Sequence, residues 1–213
     1  MNFPTIIFQK NMDLPHSWSV RLFWLFIIAY FCTCLLVGFG WGPIITSDGH
    51  RDMAFAEQLI LIGFNPTHYL EATLHLIPKY GMEGPLLPYI IYIYLLAICR
   101  TIAGDHWLSL LVFFNACFYT FVGALIISMV YSTFKYVLTS VVVMGLMLIA
   151  FGYLQWISMS QSTPFFMLFV IGTFRLALAG WTHDKPEIGR KFWLAAFVVV
   201  LISAFVRPSF PPF

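Results

Sequence analysis

The chain has 213 residues, of which 61% are hydrophobic and only 9% are charged, whereas ordinary globular domains carry about 25% charged residues. This composition excludes a water-soluble domain and predicts an integral membrane protein. The net charge is +2 and Lys and Arg form no basic patch, so nucleic acid is excluded as a partner.

Six apolar segments are candidates for membrane helices, because a span needs roughly 20 mostly apolar residues. They begin near Leu22, Pro85, Trp107, Tyr136, Pro164 and Phe192. We expect an all-α bundle of six to seven membrane helices that forms a single transmembrane domain over residues 1–213. The four cysteines fall inside apolar stretches, which indicates helix packing rather than disulfides or a metal site.

The first apolar segment, 22–42, follows Lys10 and Arg21. The positive-inside rule therefore predicts that residues 1–21 are a cytoplasmic tail, with the chain in a plasma or inner membrane. The connection 43–84 then faces outward. It is the one long polar connection in the sequence, and long ordered loops are often functional.

Short helices are predicted within this outer loop. The stretch "SDGHRDMAFAEQLILIG" predicts a helix of about fifteen residues, with Ser47 or Asp48 as its N-cap and Gly63 as its C-cap. It is too short to cross a bilayer, so we expect it to lie in the interface beneath other protein. The stretch "THYLEATLHLIPKYG" predicts a second interfacial helix that Pro78 and Gly81 end.

The later topology depends on residues 136–162. If they form one full crossing, the loop "WTHDKPEIGRK" falls outside and its basic residues violate the positive-inside rule. If they form two short helices broken near Gly152, that loop returns to the cytoplasm. We favour the second arrangement, which gives seven passes or half-passes. Arg100 is expected to end the second segment on the cytoplasmic side, before the tight turn "IAGDH".

A cluster of charged side chains opens the outer loop. The carboxylate of Asp48, at the mouth of a helix bundle, could take a proton from an acceptor hydroxyl. Asp52 lies about 6 Å away on a helix, where it could raise the pKa of its partner or share a metal ion. Arg51 could hold a phosphate oxygen. Together these residues suit transfer from a phosphate-bearing donor; the alternative is that Asp48 only caps its helix and the charges hydrate the loop.

Other polar residues give weaker signals. The spacing of His50, His68 and His75 matches neither HxxxH nor HxH and does not favour metal binding. Glu57 suits a solvated helix face.

Three arginines fall within or at the ends of apolar segments. Arg207 lies sixteen residues into the last one, where it could meet a lipid phosphate near the outer face or snorkel to the interface. Arg100 and Arg175 are expected near cytoplasmic helix ends, where snorkelling and topology explain them.

Residues 47–66, "SDGHRDMAFAEQLILIGFNP", resemble the first outer loop of the GT-C fold glycosyltransferases of the polyprenyl-phosphate-sugar-dependent mannosyl and aminoarabinosyl transferase type. That family places an acid shortly after the first span, then a small residue, an aliphatic pair, and a Gly followed by Pro. The matching residues, in order, are Asp48, Ala56, Leu59, Ile60, Gly63 and Pro66. The stretch "EGPLLPYIIYIY", 83–94, is similar to the proline-led start of the family's second span.

The chain departs from the family pattern at two positions. Many members carry a second acid directly after the first, where this chain has Gly49, and a Tyr is common where it has Asp52. Family members are generally more than twice as long. The resemblance therefore covers their N-terminal module, and the chain is either a fragment or a short relative that needs a partner membrane subunit.

The resemblance implies transfer of a sugar from a polyprenyl-phosphate donor to an outward-facing acceptor, with inversion. Asp48 would be the general base, and Asp52 or Glu83 would stand in for the second acid. Arg51, Glu83 and Arg207 would contact substrate, and a divalent metal could assist the leaving phosphate. Expected partners are membrane lipid and the lipid-linked sugar.

A second hypothesis is a non-catalytic membrane scaffold or lipid-binding subunit whose outer loop docks another protein. Ion-coupled transport is disfavoured because the spans lack acidic residues.

Overall fold

The computed structural model describes residues 16–81, 89–134, 137–150 and 154–206. Over these residues the structure is helical, with one isolated β-bridge between Ile44 and Met159, so the predicted all-α class is confirmed. The helices are α1 (His16–Gly40), α2 (Ser47–Leu61), α3 (Pro66–Thr73), α4 (Leu76–Lys79), α5 (Ile90–Ala103), α6 (Trp107–Phe134), α7 (Val137–Ile149), α8 (Thr163–Thr182) and α9 (Pro186–Ala204).

Three helical stretches in the described ranges are long and apolar enough to cross a membrane, namely Val20–Gly40, Ile90–Phe134 and Thr163–Thr182. The second contains α5, a 3-10 turn and α6. With 14 residues, α5 is about 21 Å long and falls short of the roughly 30 Å hydrocarbon core. The helix α7 is shorter still.

The helix α6 is the centre of the bundle, and α1 packs against it in the opposite direction. A Cβ added to Gly38 would lie 2.8 Å from Val112 Cγ1, near the start of α6. A Cβ added to Gly123, further along α6, would lie 2.8 Å from Tyr30 Cε1. The glycines therefore let the two helices approach closely, and the end of α1 lies beside the start of α6.

The turn between α5 and α6 reverses the chain. Gly104 has φ 54°, which favours glycine, and Leu96 shares a buried cluster with Leu111. The turn therefore lies at the end of the bundle where α1 finishes, and opposite Arg21. The prediction that Arg100 and Arg21 face the same side is wrong, because α5 folds back along α6.

The helix α8 runs parallel to α6. The rings of Phe165 and Phe118 are 4.8 Å apart, and Arg175 Nε lies 2.9 Å from Ser128 Oγ. The loop after α8 therefore returns to the end of the bundle where α1 begins, as favoured from the sequence. The predicted break near Gly152 lies outside the described residues; beyond it Leu154 is helical and Gln155–Ser158 form a 3-10 turn.

The last helix packs back against α8 and starts earlier than the hydropathy suggests. It begins at Pro186 rather than at Phe192, because proline suits the first helical position. Gly180 and Gly189 meet at the contact, where a Cβ on Gly189 would lie 2.9 Å from Gly180 O. At the far end of α9, Ile91 N–H donates to Phe205 C=O at 3.2 Å.

The helix α2 packs against α5 through buried side chains that include Phe55 and Leu59. Its predicted length and its C-terminal glycine are confirmed. Gly63 has φ 64° and donates to Ile60 O at 3.0 Å, and Phe64 N–H donates to Leu59 O at 2.9 Å; this pattern satisfies the last carbonyls of a helix.

The second loop helix predicted from the sequence is two short helices, α3 and α4, and Pro78 lies inside α4 rather than at its end. Asn65 caps α3, since its Oδ1 accepts from Thr67 N–H at 3.0 Å. Gly81, with φ 63°, follows α4 as expected.

Candidate functional site

The N-terminus of α2 is capped by Thr46, not by Ser47 or Asp48. Gly49 N–H donates to Thr46 Oγ1 at 3.0 Å. The capping prediction was therefore wrong, and the carboxylate of Asp48 is not used to close its own helix. Its side chain is 62% exposed.

Thr46 also ties this helix end to a distant segment. Ile44 N–H donates to Ser158 O at 2.8 Å, and Ser160 N–H donates to Ile44 O at 3.0 Å. Thr46 N–H donates to Ser160 Oγ at 3.1 Å, and its hydroxyl donates to Ser160 O at 3.3 Å. The start of α2 is thus fixed against the chain just before α8.

Asn115 on α6 holds that non-helical segment from the other side. The residue is fully buried, and its Nδ2 donates to Ile157 O at 3.1 Å and to Met159 O at 3.3 Å. Buried carbonyls outside a helix need such donors. One side chain of the central helix therefore positions the strand-like residues against which α2 begins.

Arg51 connects the two candidate acids of α2. Its Nη1 lies 3.2 Å from Asp48 Oδ1, and its Nε and Nη2 lie 2.9 and 2.8 Å from Asp52 Oδ1. The guanidinium also lies over the ring of Tyr89, 5.8 Å from the centroid, within cation–π range. The three charged side chains therefore lie together on one face of α2.

The two acids lie in different environments. The side chain of Asp52 is 3% exposed, and burial raises its pKa to about 6, with a further rise from the charge of Asp48 and an opposing effect of Arg51. The acid with the raised pKa is therefore Asp52 itself, and burial is the larger cause. Burial acts to lower the pKa of Arg51, yet its two carboxylate partners outweigh burial and raise it.

A small polar pocket opens in front of this cluster. Its volume is about 20 Å³, which is room for about one water molecule. A hydroxyl group fits this space, but a sugar ring does not. Two carboxylates and one guanidinium leave the lining with a formal charge of −1. The lining residues are Asp48, Arg51, Asp52, Tyr89, Gln161, Ser162 and Thr163.

Four of these lining residues, Tyr89 and 161–163, were not singled out from the sequence. Residues 161–163 could have been identified from the polar run "SMSQST" at 158–163, which separates two apolar stretches.

Two buried phenols lie within the electrostatic reach of Asp52. The hydroxyls of Tyr69 and Tyr92 have no hydrogen-bond partner among the residues that the structure describes. Burial, and then the charge of Asp52, raises the pKa of Tyr69. Both hydroxyls are therefore buried polar groups near the carboxylate of Asp52.

The predicted substrate contacts at Glu83 and Arg207 lie outside the described residues. No group of three or more His, Cys, Asp or Glu side chains comes together in the described ranges. Arg51 pairs with both Asp48 and Asp52, so the donor set found there does not fit a divalent cation. No metal-assisted step is therefore assigned to this cluster.

The sequence matches no protein-family model, and no curated protein or solved structure is significantly similar to it. Any function must be argued from the residues and geometry of the site itself.

Proposed function

We propose that this chain is a membrane glycosyltransferase module that moves a sugar from a polyprenyl-phosphate donor to an outward-facing acceptor. One observation carries the proposal. Asp48 is an exposed carboxylate that does not cap its helix, and it lies at the mouth of a polar pocket beside a guanidinium that orients it. The resemblance of residues 47–66 to the first outer loop of the GT-C glycosyltransferases supports the same chemistry.

In the proposed step, the Asp48 carboxylate takes the proton of the acceptor hydroxyl as that oxygen attacks the anomeric carbon. The bond between the anomeric carbon and the phosphate oxygen breaks, and the polyprenyl phosphate leaves with the electron pair. Direct displacement inverts the anomeric centre. Because the pocket admits a hydroxyl but not a sugar ring, donor and acceptor would meet over its mouth.

Asp52 and Arg51 take positioning roles in this proposal. Asp52 anchors Arg51 through two hydrogen bonds, and Arg51 in turn holds Asp48. A guanidinium committed to two carboxylates is poorly suited to bind the leaving phosphate as well. From the sequence, Arg207 is the candidate for the cation that binds the leaving phosphate, and Glu83 is the candidate for a second acid.

The membrane arrangement that we propose has the N-terminus in the cytoplasm, seven passes or half-passes, and α2, α3 and α4 lying in the outer interface. Support comes from the basic residues at the end of the bundle where α1 begins. Arg21 lies there, and so do Lys185 in the loop after α8 and Arg190 and Lys191 in the first turns of α9. The positive-inside rule assigns that end to the cytoplasm.

The test is a transfer assay with the full chain in vesicles that contain radiolabelled polyprenyl-phosphate sugars. Asp48→Asn should abolish transfer, because the amide cannot take a proton, while membrane insertion stays unchanged and Tm falls only slightly. Asp105→Asn is a matched control: Asp105 is 94% exposed and also pairs with an arginine, Arg100, but it lies at a distant turn. Equal transfer by wild type and Asp48→Asn would refute the enzymatic proposal.

A non-catalytic membrane scaffold is the second candidate, and the small volume of the pocket favours it. If the chain is a scaffold, the wild type should transfer no sugar from any of the radiolabelled polyprenyl-phosphate donors. The scaffold hypothesis also predicts that Asp48→Asn weakens association with a partner subunit, which co-purification from the native membrane would reveal.

A further inference from the structure

Arg175 is a cation inside an apolar helix. It lies in Thr163–Thr182, a stretch long and apolar enough to cross a membrane, and its Nε donates to Ser128 Oγ on α6 at 2.9 Å. Ser128 is buried. A charged group in such a segment is costly unless it has a partner, so an arginine there points to a function.

No described carboxylate pairs with Arg175. The ion pairs in the described ranges join Arg51 to its two acids and Arg100 to Asp105. The bond to Ser128 uses one of the five N–H donors of the guanidinium. The remaining donors form a planar fork whose geometry matches the oxygens of a phosphate group.

The depth of Arg175 suits a lipid headgroup. Ser128 lies six residues before the end of α6, and Arg175 seven before the end of α8, which is about 10 Å from the helix ends. A long arginine side chain can bridge much of that distance. The adjoining residue Phe174 is 61% exposed, so an acyl chain has an apolar surface beside the guanidinium.

This end of the bundle is also basic. The beginning of α1 brings Arg21, and the α8–α9 connection with the first turns of α9 brings Lys185, Arg190 and Lys191. Asp184 and Glu187 lie there too, so basic residues outnumber acidic ones. Such a face attracts an anionic leaflet.

We propose that Arg175 and Ser128 form a binding site for the phosphate group of an anionic lipid, in the groove between α6 and α8. Ser128 fixes Nε, and the free edge of the guanidinium binds the phosphate oxygens. The site lies twelve residues along α8 from Thr163 in the pocket, about 18 Å away. It is therefore independent of the proposed transferase chemistry.

The test uses the full chain in nanodiscs that contain phosphatidylglycerol and phosphatidylcholine, with retained lipids counted by native mass spectrometry. Wild type should retain phosphatidylglycerol in preference, and Arg175→Gln should reduce that retention about fivefold, the size expected for one arginine at an anionic surface. Arg175→Lys should restore part of it, because the charge remains but the fork is lost. Arg100→Gln, which removes an arginine already paired with Asp105, should retain as much as wild type.

A second experiment distinguishes binding of a lipid from binding of a free phosphate ion. Phosphatidylglycerol should raise the Tm of the wild type in detergent, and inorganic phosphate should not; an equal rise with inorganic phosphate would overturn the lipid assignment. Equal retention by Arg175→Gln and wild type would overturn the site itself. If Arg175→Gln does not fold, Ser128→Ala provides the test, since it leaves the charge and should still weaken retention.

Discussion

Gly49 packs directly against Ser160, although 111 residues separate them in the chain: a Cβ added to Gly49 would overlap Ser160 Oγ and lie 2.8 Å from Ser160 O. No side chain fits at position 49 in this packing. Under the proposed resemblance to the GT-C glycosyltransferases, in which a second acid follows the first, this contact is what excludes that acid from position 49. A carboxylate at this position would displace the segment that holds Thr46.

We expect Gly49→Ala to destabilise the protein by about 1–3 kcal/mol, the usual cost of overpacking. Thermal unfolding in detergent measures the effect. Gly172→Ala is the matched control, because nothing lies within 4 Å of its added Cβ and alanine is the better helix former. Adding Ser160→Gly to Gly49→Ala should recover part of the loss, and a Gly49→Ala protein as stable as wild type would contradict the contact.

The ion pairs of Arg51 should differ greatly in strength. Arg51→Gln leaves the buried carboxylate of Asp52 without its partner, and breaking a buried pair costs about 3 kcal/mol or more. Asp48→Asn removes a mostly exposed partner and should cost less than about 1 kcal/mol. The double variant Arg51→Gln with Asp52→Asn should recover much of the loss in unfolding experiments; additive losses would show that the two side chains are not coupled.

The buried carboxyl of Asp52 should make stability depend on pH. Its pKa is about 6 in the folded protein, against 3.8 for an unperturbed Asp, so between these values the folded state binds the proton more readily. Lowering the pH from 7.5 to 4.5 should therefore stabilise wild type relative to Asp52→Asn, by about 2 kcal/mol. The effect is measured as the difference in Tm between wild type and Asp52→Asn at each pH. A difference that does not change with pH would show that the carboxyl is solvated and would contradict its burial. Asp105→Asn, at an exposed carboxyl, is the control.

The packing of α1, α6 and α8 predicts which connections share a side of the membrane. In a chain whose four cysteines are replaced by alanine, Arg21→Cys and Asp184→Cys should react with an impermeant maleimide from one side of sealed vesicles. Asp105→Cys should react only from the other side. Labelling of positions 21 and 105 from the same side would contradict the antiparallel packing of α1 on α6, and labelling of 105 and 184 from the same side would contradict the parallel packing of α8 on α6.

The local features of the connection 43–84 could be predicted from the sequence because they depend on neighbouring residues. Helix propensity and a terminal glycine predict α2 and its C-cap at Gly63, and the spacing of Asp48, Arg51 and Asp52 predicts that they share a face. The N-cap prediction failed because three consecutive residues, Thr46, Ser47 and Asp48, are all good caps. Thr46 is the cap because it also hydrogen-bonds Ser160, which is distant in the sequence.

The rest of the site depends on contacts that no local pattern encodes. The burial of Asp52 comes from packing of α2 on α5, and the pocket is completed by Gln161, Ser162 and Thr163 from the start of α8. Hydropathy predicted a crossing or a broken helix over 136–162. It could not show that Asn115, over 40 residues earlier, hydrogen-bonds the non-helical part of that segment in the middle of the bundle.

The hydrogen bond from Thr46 to Ser160 joins residues that are 114 positions apart in the sequence. The two sides of the pocket are therefore synthesised at different times. When the ribosome has released the chain as far as α7, the start of α2 still lacks the backbone against which it is held. The pocket therefore cannot be complete before residue 163 has been synthesised, so the residues of α1 to α7 are all made before the site can close.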